Sequence, residues 1–426
     1  MKNRLRAAVT SLPLIVAFAL AVRLLSFLHY VSHHSRHALA VLPFLFESGN
    51  IAYSLASGLG FSSPFRVYTG PTAWMTPVYP LLLAGIFRLF GAYTFSAYVA
   101  AALLNILFVT LATIPLFFAA KKLGGPALAA GAAWLWAIFP NAILLTYESM
   151  WEVCLATLLA AVILWATLAL AEDGGVRQWC GYGLLWGFTL MTDPTLASTL
   201  PLLLAWLVWR ARRKGAARPA KQTVTKTALA LAIAILCCVP WTVRNYRVFH
   251  TIVPLRSVLG LQLWMGNNPQ AKPIWLGHLH PINNNAQRAE YVRMGEIAYM
   301  RQKMGLALHY MLTHPRREAV LTGRRFLAIW VGGTPYPVRD FLANHSPWFR
   351  YVLLFNLLAG LGAAAGIIVL FRRRNPFAFP VACFPVIYPC AYYLTLVEPR
   401  YGLPMEPMVL LLAAAAIAGL ARRRPE

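Results

Sequence analysis

Charge is scarce in this chain. Only 12% of its 426 residues are charged, about half the share in an ordinary soluble domain. Acidic residues are scarcer still, 13 against 38 lysines and arginines. With 59% hydrophobic residues, so little charge cannot cover a soluble body of this size, which excludes a soluble globular enzyme. The six cysteines, Cys154, Cys180, Cys237, Cys238, Cys383 and Cys390, form no CxxC pair, so neither a zinc ribbon nor a disulfide framework is signalled. Alternating barrel strands, internal repeats and the inverted repeat of secondary transporters are also missing from the pattern. The first apolar block lacks a small-residue cleavage site, so it is expected to remain as a first span.

What the chain does have is long apolar blocks. They run over Ala7–Leu28, Tyr93–Ala120, Ala127–Leu145, Val153–Ala171, Thr227–Val239, Val352–Phe371, Phe377–Val397 and Met405–Leu420. About 20 apolar residues in a helix cross the hydrocarbon core, and hydrogen-bonded helices satisfy their own backbone there. The expected fold class is therefore an all-α integral membrane protein of about ten transmembrane helices, numbered in chain order, with the shorter segments Cys180–Met191 and Thr195–Trp209 as spans 5 and 6 and about Thr227–Val243 as span 7.

The net charge of +25 falls at block ends: Lys2, Arg4 and Arg6; Lys121 and Lys122; Arg210 to Lys226; Arg372 to Arg374; Arg422 to Arg424. That is the positive-inside pattern, not the basic face of a nucleic-acid binder. It predicts cytoplasmic N- and C-termini in a plasma (inner) membrane. Pro77–Gly91 then does not cross, because it is short, holds Pro80 and carries Arg88; it is expected to lie in the interface. Three units follow: spans 1 to 7 with the first outer loop 29–92 (1–243), an extracytoplasmic or interfacial segment (244–348), and C-terminal spans (349–426).

Few acids remain to do chemistry, and those near the outer face are Glu47, Glu148, Glu152, Asp193, Glu398 and Glu406. An ionisable group at membrane depth is costly and usually paired or functional. Glu47 opens an amphipathic stretch broken by Gly58, Gly60 and Pro64, where a carboxylate can be a general base, hold a cation or favour a helix start. Glu148 and Glu152, at i,i+4 spacing, are expected on one helix face, where a cation or an arginine would relieve their repulsion. Arg244, Arg256 and Arg400 fall on the outer side, against the positive-inside trend, and arginine suits phosphate. Each also has a plain alternative in a salt bridge or a headgroup contact. His29, His33, His34 and His37 read as solvated interfacial residues. Trp74, Trp264 and Trp275 are candidates for stacking on sugars, and Asn344–His345–Ser346 is a weak glycosylation sequon.

An ordered set of segments carries a family resemblance: ESGNIAYSLASGLGF, PVYPLLLAGIFRLFG, the stretch from Pro140 to Glu152, PWTVRNYRVF, VPLRSVLGLQLWMGNNP and EPRYGLPMEP. From about Glu47 to Leu420 the chain resembles the membrane-embedded GT-C glycosyltransferases. The likeness is to the bacterial family-39-like branch related to protein mannosyltransferases and lipid A aminoarabinose transferases. The resemblance implies a GT-C-type bundle with interfacial helices in its first outer loop. It implies an inverting transferase that takes a hexosyl or pentosyl group from a polyprenyl-phosphate donor on the extracytoplasmic side. Glu47 matches the family's acid in the first outer loop, and Glu152, better than Glu148, its second acid. Arg244 matches the arginine after span 7, and Arg400–Tyr401 the late Arg-Tyr pair. Catalytic roles are thus expected for Glu47, Glu152 and Glu148, and donor-phosphate contacts for Arg244, Arg256, Arg400 and Tyr401. A divalent cation, Mg or Mn, would be held by Glu47, Glu148 and Glu152. Where many members have Arg-Pro after span 5, this chain has Asp193–Pro194. The expected partners are the lipid-linked donor, membrane lipids and a glycan, lipid or protein acceptor, with no nucleic acid. The rival reading is a transporter or flippase of a lipid-linked sugar, which would use the arginines but need no base.

Overall fold

A computed structural model describes residues 10–172, 174–213, 217–273, 277–331 and 347–421. The basic clusters Lys2–Arg6 and Arg422–Arg424, Trp275 and the Asn344 sequon lie outside them. Among the described residues there is no strand, only an isolated bridge between Ser62 and Pro71. The regular structure is helical, as continuous apolar blocks without period-2 alternation require.

The helices used below are α1 (Leu12–Ser32), α2 (Glu47–Ala56), α3 (Val78–Phe90), α4 (Phe95–Leu111), α5 (Thr113–Gly124), α6 (Pro126–Ala137), α7 (Val153–Leu170), α8 (Val176–Leu190), α9 (Leu200–Arg213) and α10 (Ala217–Phe249). They continue with α11 (Leu259–Gly266), α12 (Asn285–Met294), α13 (Glu296–Thr313), α14 (Pro315–Val331), α15 (Pro347–Arg372), α16 (Ala378–Ile387), α17 (Cys390–Leu394) and α18 (Glu406–Ala421). Six stretches among the described residues are long and apolar enough to cross a membrane: Leu12–Ser32, Phe95–Gly124, Val153–Leu170, Lys221–Phe249, Arg350–Arg372 and Pro399–Gly419. Four other expected crossings, spans 3, 5, 6 and 9, are helical but shorter: α6, α8, α9 and the broken pair α16–α17. Helix α3 has 13 residues, about 20 Å of rise, well short of the roughly 30 Å hydrocarbon core.

Close helix contacts are made by small residues, the usual device where lipid offers no hydrophobic drive between spans. In α8, a Cβ on Gly183 would stand 2.6 Å from the Ala230 carbonyl of α10, and one on Gly187 2.4 Å from Cys237 Cβ. In α15, a Cβ on Gly366 would meet the Leu412 carbonyl of α18 at 1.9 Å. Gly362, where a Cβ would stand 2.9 Å from Ala413 Cβ, lies four residues before Gly366, the same spacing as Gly183 and Gly187.

Two buried arginines are satisfied chiefly by helix ends. Arg23 of α1 donates to the carbonyls of Ala19, Trp136 and Ala142, so it closes the break after α6, where helical carbonyls lose their own partners. Arg325 of α14 binds Glu318, the Tyr393 carbonyl, the Gly266 carbonyl and Asn267 Oδ1. It thereby fixes the end of α11 against α17. These contacts, with α11 packed along α13, hold the segment after α10 over one end of the bundle.

Candidate active site

The loops at that end enclose a cavity of about 720 Å³. Its wall includes Glu47, Trp74, Trp151, Glu152, Asp193, Arg256, His280, Tyr392, Glu398, Arg400 and Tyr401. The ordering of the loops is local and specific. Ser48 donates to the Met150 carbonyl at 2.6 Å, and the Met150 amide donates to the Pro43 carbonyl at 3.2 Å. Those two bonds set Glu47, the first residue of α2, beside the Trp151–Glu152 turn that opens α7. Asn50 steadies the same corner by donating to the carbonyls of Leu45 and Pro64.

Glu47 is 5% exposed, and its Oε1 lies 3.1 Å from His280 Nε2. The Ile282 amide points at His280 Nδ1 from 3.2 Å. A backbone N–H can only donate, so Nδ1 accepts, and the ring proton sits on Nε2, facing Glu47. The imidazole therefore donates to the carboxylate and fixes its orientation.

A second group lines the same cavity. Arg256 donates through one terminal nitrogen to Glu152 Oε1 at 2.8 Å and to the Thr192 carbonyl at 3.3 Å. The same nitrogen stands 3.6 Å from Asp193 Oδ1. Burial works against the Arg256 charge, yet Glu152 and Asp193 hold it above its ordinary range. Burial pushes the Glu152 carboxyl up, opposed by Arg256 and assisted by Asp193. Asp193 also accepts the Thr195 amide and so starts the short 3₁₀ turn Pro194–Ser198. Arg400 pairs with Glu398 and lies over the Trp151 ring, 4.1 Å from its centroid. Tyr401 stacks on Tyr392 at 4.5 Å.

Three buried polar atoms here have no partner among the described residues: Glu152 Oε2, Arg256 Nε and Trp151 Nε1. Orphaned atoms of both signs in one cavity wall are what a polar ligand would satisfy.

Of the residues expected at the site, Glu47, Glu152, Arg256, Arg400 and Tyr401 line the cavity, while Glu148 and Arg244 do not. The i,i+4 argument for Glu148 and Glu152 needs correction: helix α7 begins only at Val153, with Glu152 as its N-cap residue. Glu148 therefore lies in the turn before the helix, where burial pushes its carboxyl up and His34 pulls it down. Convergence of Arg244 on the cavity needs correction too. Its guanidinium donates to the carbonyls of Thr72 and Phe61 at 2.6 Å each and to Asn245, packing over Phe61 and Trp241. It fastens the loop between α2 and α3 and is not part of the cavity lining. The three carboxylates Glu47, Glu148 and Glu152 thus do not assemble as a Mg or Mn site. Among the described residues no group of three or more His, Cys, Asp or Glu side chains could hold a metal. His280 was missed by sequence reasoning, because nothing local marks a lone histidine 233 positions away as a partner of Glu47.

Residues 74–243 match the sequence pattern of the dolichyl-phosphate-mannose-protein mannosyltransferase family. The whole bundle superposes on the oligosaccharyltransferase of Archaeoglobus fulgidus. The form with zinc and sulfate gives a TM-score of 0.54 at 13% identity, covering 96% of this chain and 49% of the other. At this identity the likeness is one of fold. The form of that enzyme with an inhibitory peptide and a dolichol-phosphate gives 0.54 at 13% identity, over 95% and 50%. A third match, ArnT from Cupriavidus metallidurans bound to undecaprenyl phosphate, covers 95% and 77% at 16% identity, but its TM-score of 0.38 carries no inference. No curated protein matches significantly by sequence. The chain spans about half the length of the oligosaccharyltransferase it matches. The stretch matched to the family supplies Trp74, Trp151, Glu152 and Asp193 to the cavity. Glu47, Arg256, His280 and Arg400 come from the flanks.

Proposed function

We propose that this chain is a GT-C-type membrane glycosyltransferase that moves a sugar from a polyprenyl-phosphate carrier to an acceptor hydroxyl, in the cavity that holds Glu47 and Arg256. The site faces the extracytoplasmic side of a plasma membrane, with both termini in the cytoplasm. In this reading residues 1–243 form the catalytic module, 244–348 its outer cover and 349–426 the closing spans. The supporting observation is the juxtaposition in one cavity of a carboxylate oriented by a neutral imidazole with two arginines.

The step is a single displacement. Glu47, oriented by His280, removes the proton of the acceptor hydroxyl. The hydroxyl oxygen forms the new glycosidic bond as the bond from the sugar carbon to phosphate oxygen breaks. The electron pair leaves with the polyprenyl phosphate, giving inversion. Positive charge must meet the departing phosphate. Arg256 still has its Nε–H to give, and Arg400 lies on the same wall. Both arginines also face carboxylates, so the phosphate enters in competition with Glu152 and Glu398. Aromatic faces at Trp74 and Tyr392 are suited to stack on sugar.

The test is labelled-sugar transfer in proteoliposomes with a polyprenyl-phosphate sugar pool and envelope acceptors. Glu47→Gln keeps shape and removes the base, so turnover is expected to fall by about 10²- to 10⁴-fold while donor binding persists. Turnover equal to wild type would remove Glu47 from the chemistry. Movement of donor across the bilayer that survives Glu47→Gln would favour the transporter reading.

A further inference from the structure

Next to the cavity, but not in its lining, lies another buried carboxylate. Glu296, at the start of α13, is 4% exposed and accepts four hydrogen bonds. Its Oε2 takes the hydroxyls of Thr72 and Tyr291 at 2.5 and 2.6 Å. Its Oε1 takes the Ala73 amide and the Ser257 hydroxyl, both at 2.7 Å. The Ser257 amide donates in turn to the Ala73 carbonyl at 2.9 Å, and the Trp74 amide to Thr72 Oγ1 at 3.0 Å.

These bonds join segments more than 180 residues apart in sequence. Each segment ends on a residue of the cavity wall: Trp74 follows Ala73, and Arg256 precedes Ser257. Trp74 packs edge-on against His280, 5.3 Å between ring centroids, and His280 holds Glu47. One carboxylate thus fixes two loops that each carry a residue of the cavity wall, Trp74 and Arg256. A core stabiliser at this place would ordinarily be apolar, because a buried carboxylate costs several kcal/mol to desolvate. Four donors aimed at one group give a geometry that side-chain packing alone would not.

We propose that Glu296 is a positioning residue that sets the distance and orientation of Arg256 relative to Trp74, and so prepares the phosphate side of the cavity. The proposal rests on the reading of Arg256 as a donor-phosphate contact. A chemically matched rescue exists. In Glu296→Gln the amide oxygen can still accept from Ala73 N–H and the Ser257 hydroxyl. The amide nitrogen can donate to the hydroxyl oxygens of Thr72 and Tyr291, which rotate to accept.

The experiment uses the full chain in detergent with undecaprenyl phosphate as the probe, and hydrogen exchange of residues 70–76 and 254–260 as a measurement independent of any ligand. Glu296→Ala should speed exchange in both segments and weaken binding by about 10- to 100-fold, the loss of one hydrogen bond to a charged group. Glu296→Gln should restore both to within about 3-fold. Combined with Arg256→Ala, Glu296→Ala should add nothing further to the binding loss. If Glu296→Ala does not fold, Ser257→Ala, which cuts the hydrogen bond from Glu296 to the Arg256 segment and keeps the Ser257 amide on the Ala73 carbonyl, carries the same expectations at smaller size. Unchanged exchange in both segments would overturn the proposal. So would losses that multiply in the double variant, or an Arg256-dependent binding that Glu296→Ala leaves intact. Binding indifferent to Arg256→Ala would instead overturn the assignment of Arg256 itself, and the positioning role with it.

Discussion

Arg256 stands between two buried carboxylates, so its removal and the removal of one carboxylate should have very different costs. In Arg256→Met, Glu152 and Asp193 remain, 6% and 3% exposed, with no cation between them. Breaking a buried ion pair from one side costs about 3–5 kcal/mol, because the orphaned charge stays desolvated. In Glu152→Gln the guanidinium keeps Asp193 at 3.6 Å and gains a neutral acceptor in place of a charged one, a loss of about 1 kcal/mol. The pH dependence follows from the sign of the Glu152 shift. Burial already holds that carboxyl above its ordinary value, and Arg256 is the largest influence opposing it. Without Arg256 the folded-state value rises further. A carboxyl raised in the folded state destabilises above that value, and the penalty vanishes as pH falls below the ordinary value near 4.5. The stability deficit of Arg256→Met should therefore be largest at pH 8 and shrink towards pH 5, whereas that of Glu152→Gln should change little. Thermal unfolding in detergent, followed by tryptophan fluorescence at both pH values, reads this directly. A deficit for Arg256→Met that is the same at pH 5 and pH 8, or one no larger than that of Glu152→Gln, would refute the reasoning.

Other outcomes follow from named contacts. His280→Gln places an amide N–H where Nε2–H now meets Glu47 and should retain most transfer activity, while His280→Leu should lose about 10- to 100-fold in kcat with donor KM little changed. Arg244→Met should lower the melting temperature and loosen residues 61–72 in hydrogen exchange, yet leave undecaprenyl-phosphate affinity near wild type, since its donors face loop carbonyls. Gly49→Ala would place a methyl 2.1 Å from the Phe44 carbonyl, and the backbone shift this forces should cost about 1–3 kcal/mol and displace Glu47, lowering kcat even in folded protein. Gly366→Val should separate α15 from α18 and reduce the yield of folded protein in membranes without changing kcat per folded molecule.

The sequence speaks clearly wherever the bilayer constrains it. Blocks of apolar residues closed by Lys121–Lys122 or Arg372–Arg374 become helices whose ends fall within a few residues of those clusters, because hydrophobic length and terminal charge are local properties. Glu47 heads its helix for the same reason: the chain breaks at Gly58 and Gly60, which take positive φ of 79° and 73° just past the helix end. What the sequence hides is partnership. Whether an outer arginine faces a cavity or a loop carbonyl depends on contacts across 172 and 183 residues for Arg244, and across 104 for Arg256. The two residues look alike in sequence and differ only in what folds against them. The spacing of Glu148 and Glu152 misleads because it presumes a helix that starts one turn later than the carboxylates need. Asp193 shows the converse. In sequence it is a departure from a basic pattern; in the fold it becomes the second carboxylate on Arg256. The arginine that should meet phosphate is thus held in advance by two acids. Such an arginine is oriented before any donor arrives, and the donor must displace a carboxylate to reach it. That exchange favours ligands able to offer two oxygens to one guanidinium over those offering a single hydroxyl. If Arg256 meets the donor as proposed, the cavity would prefer phosphate without an excess of positive charge.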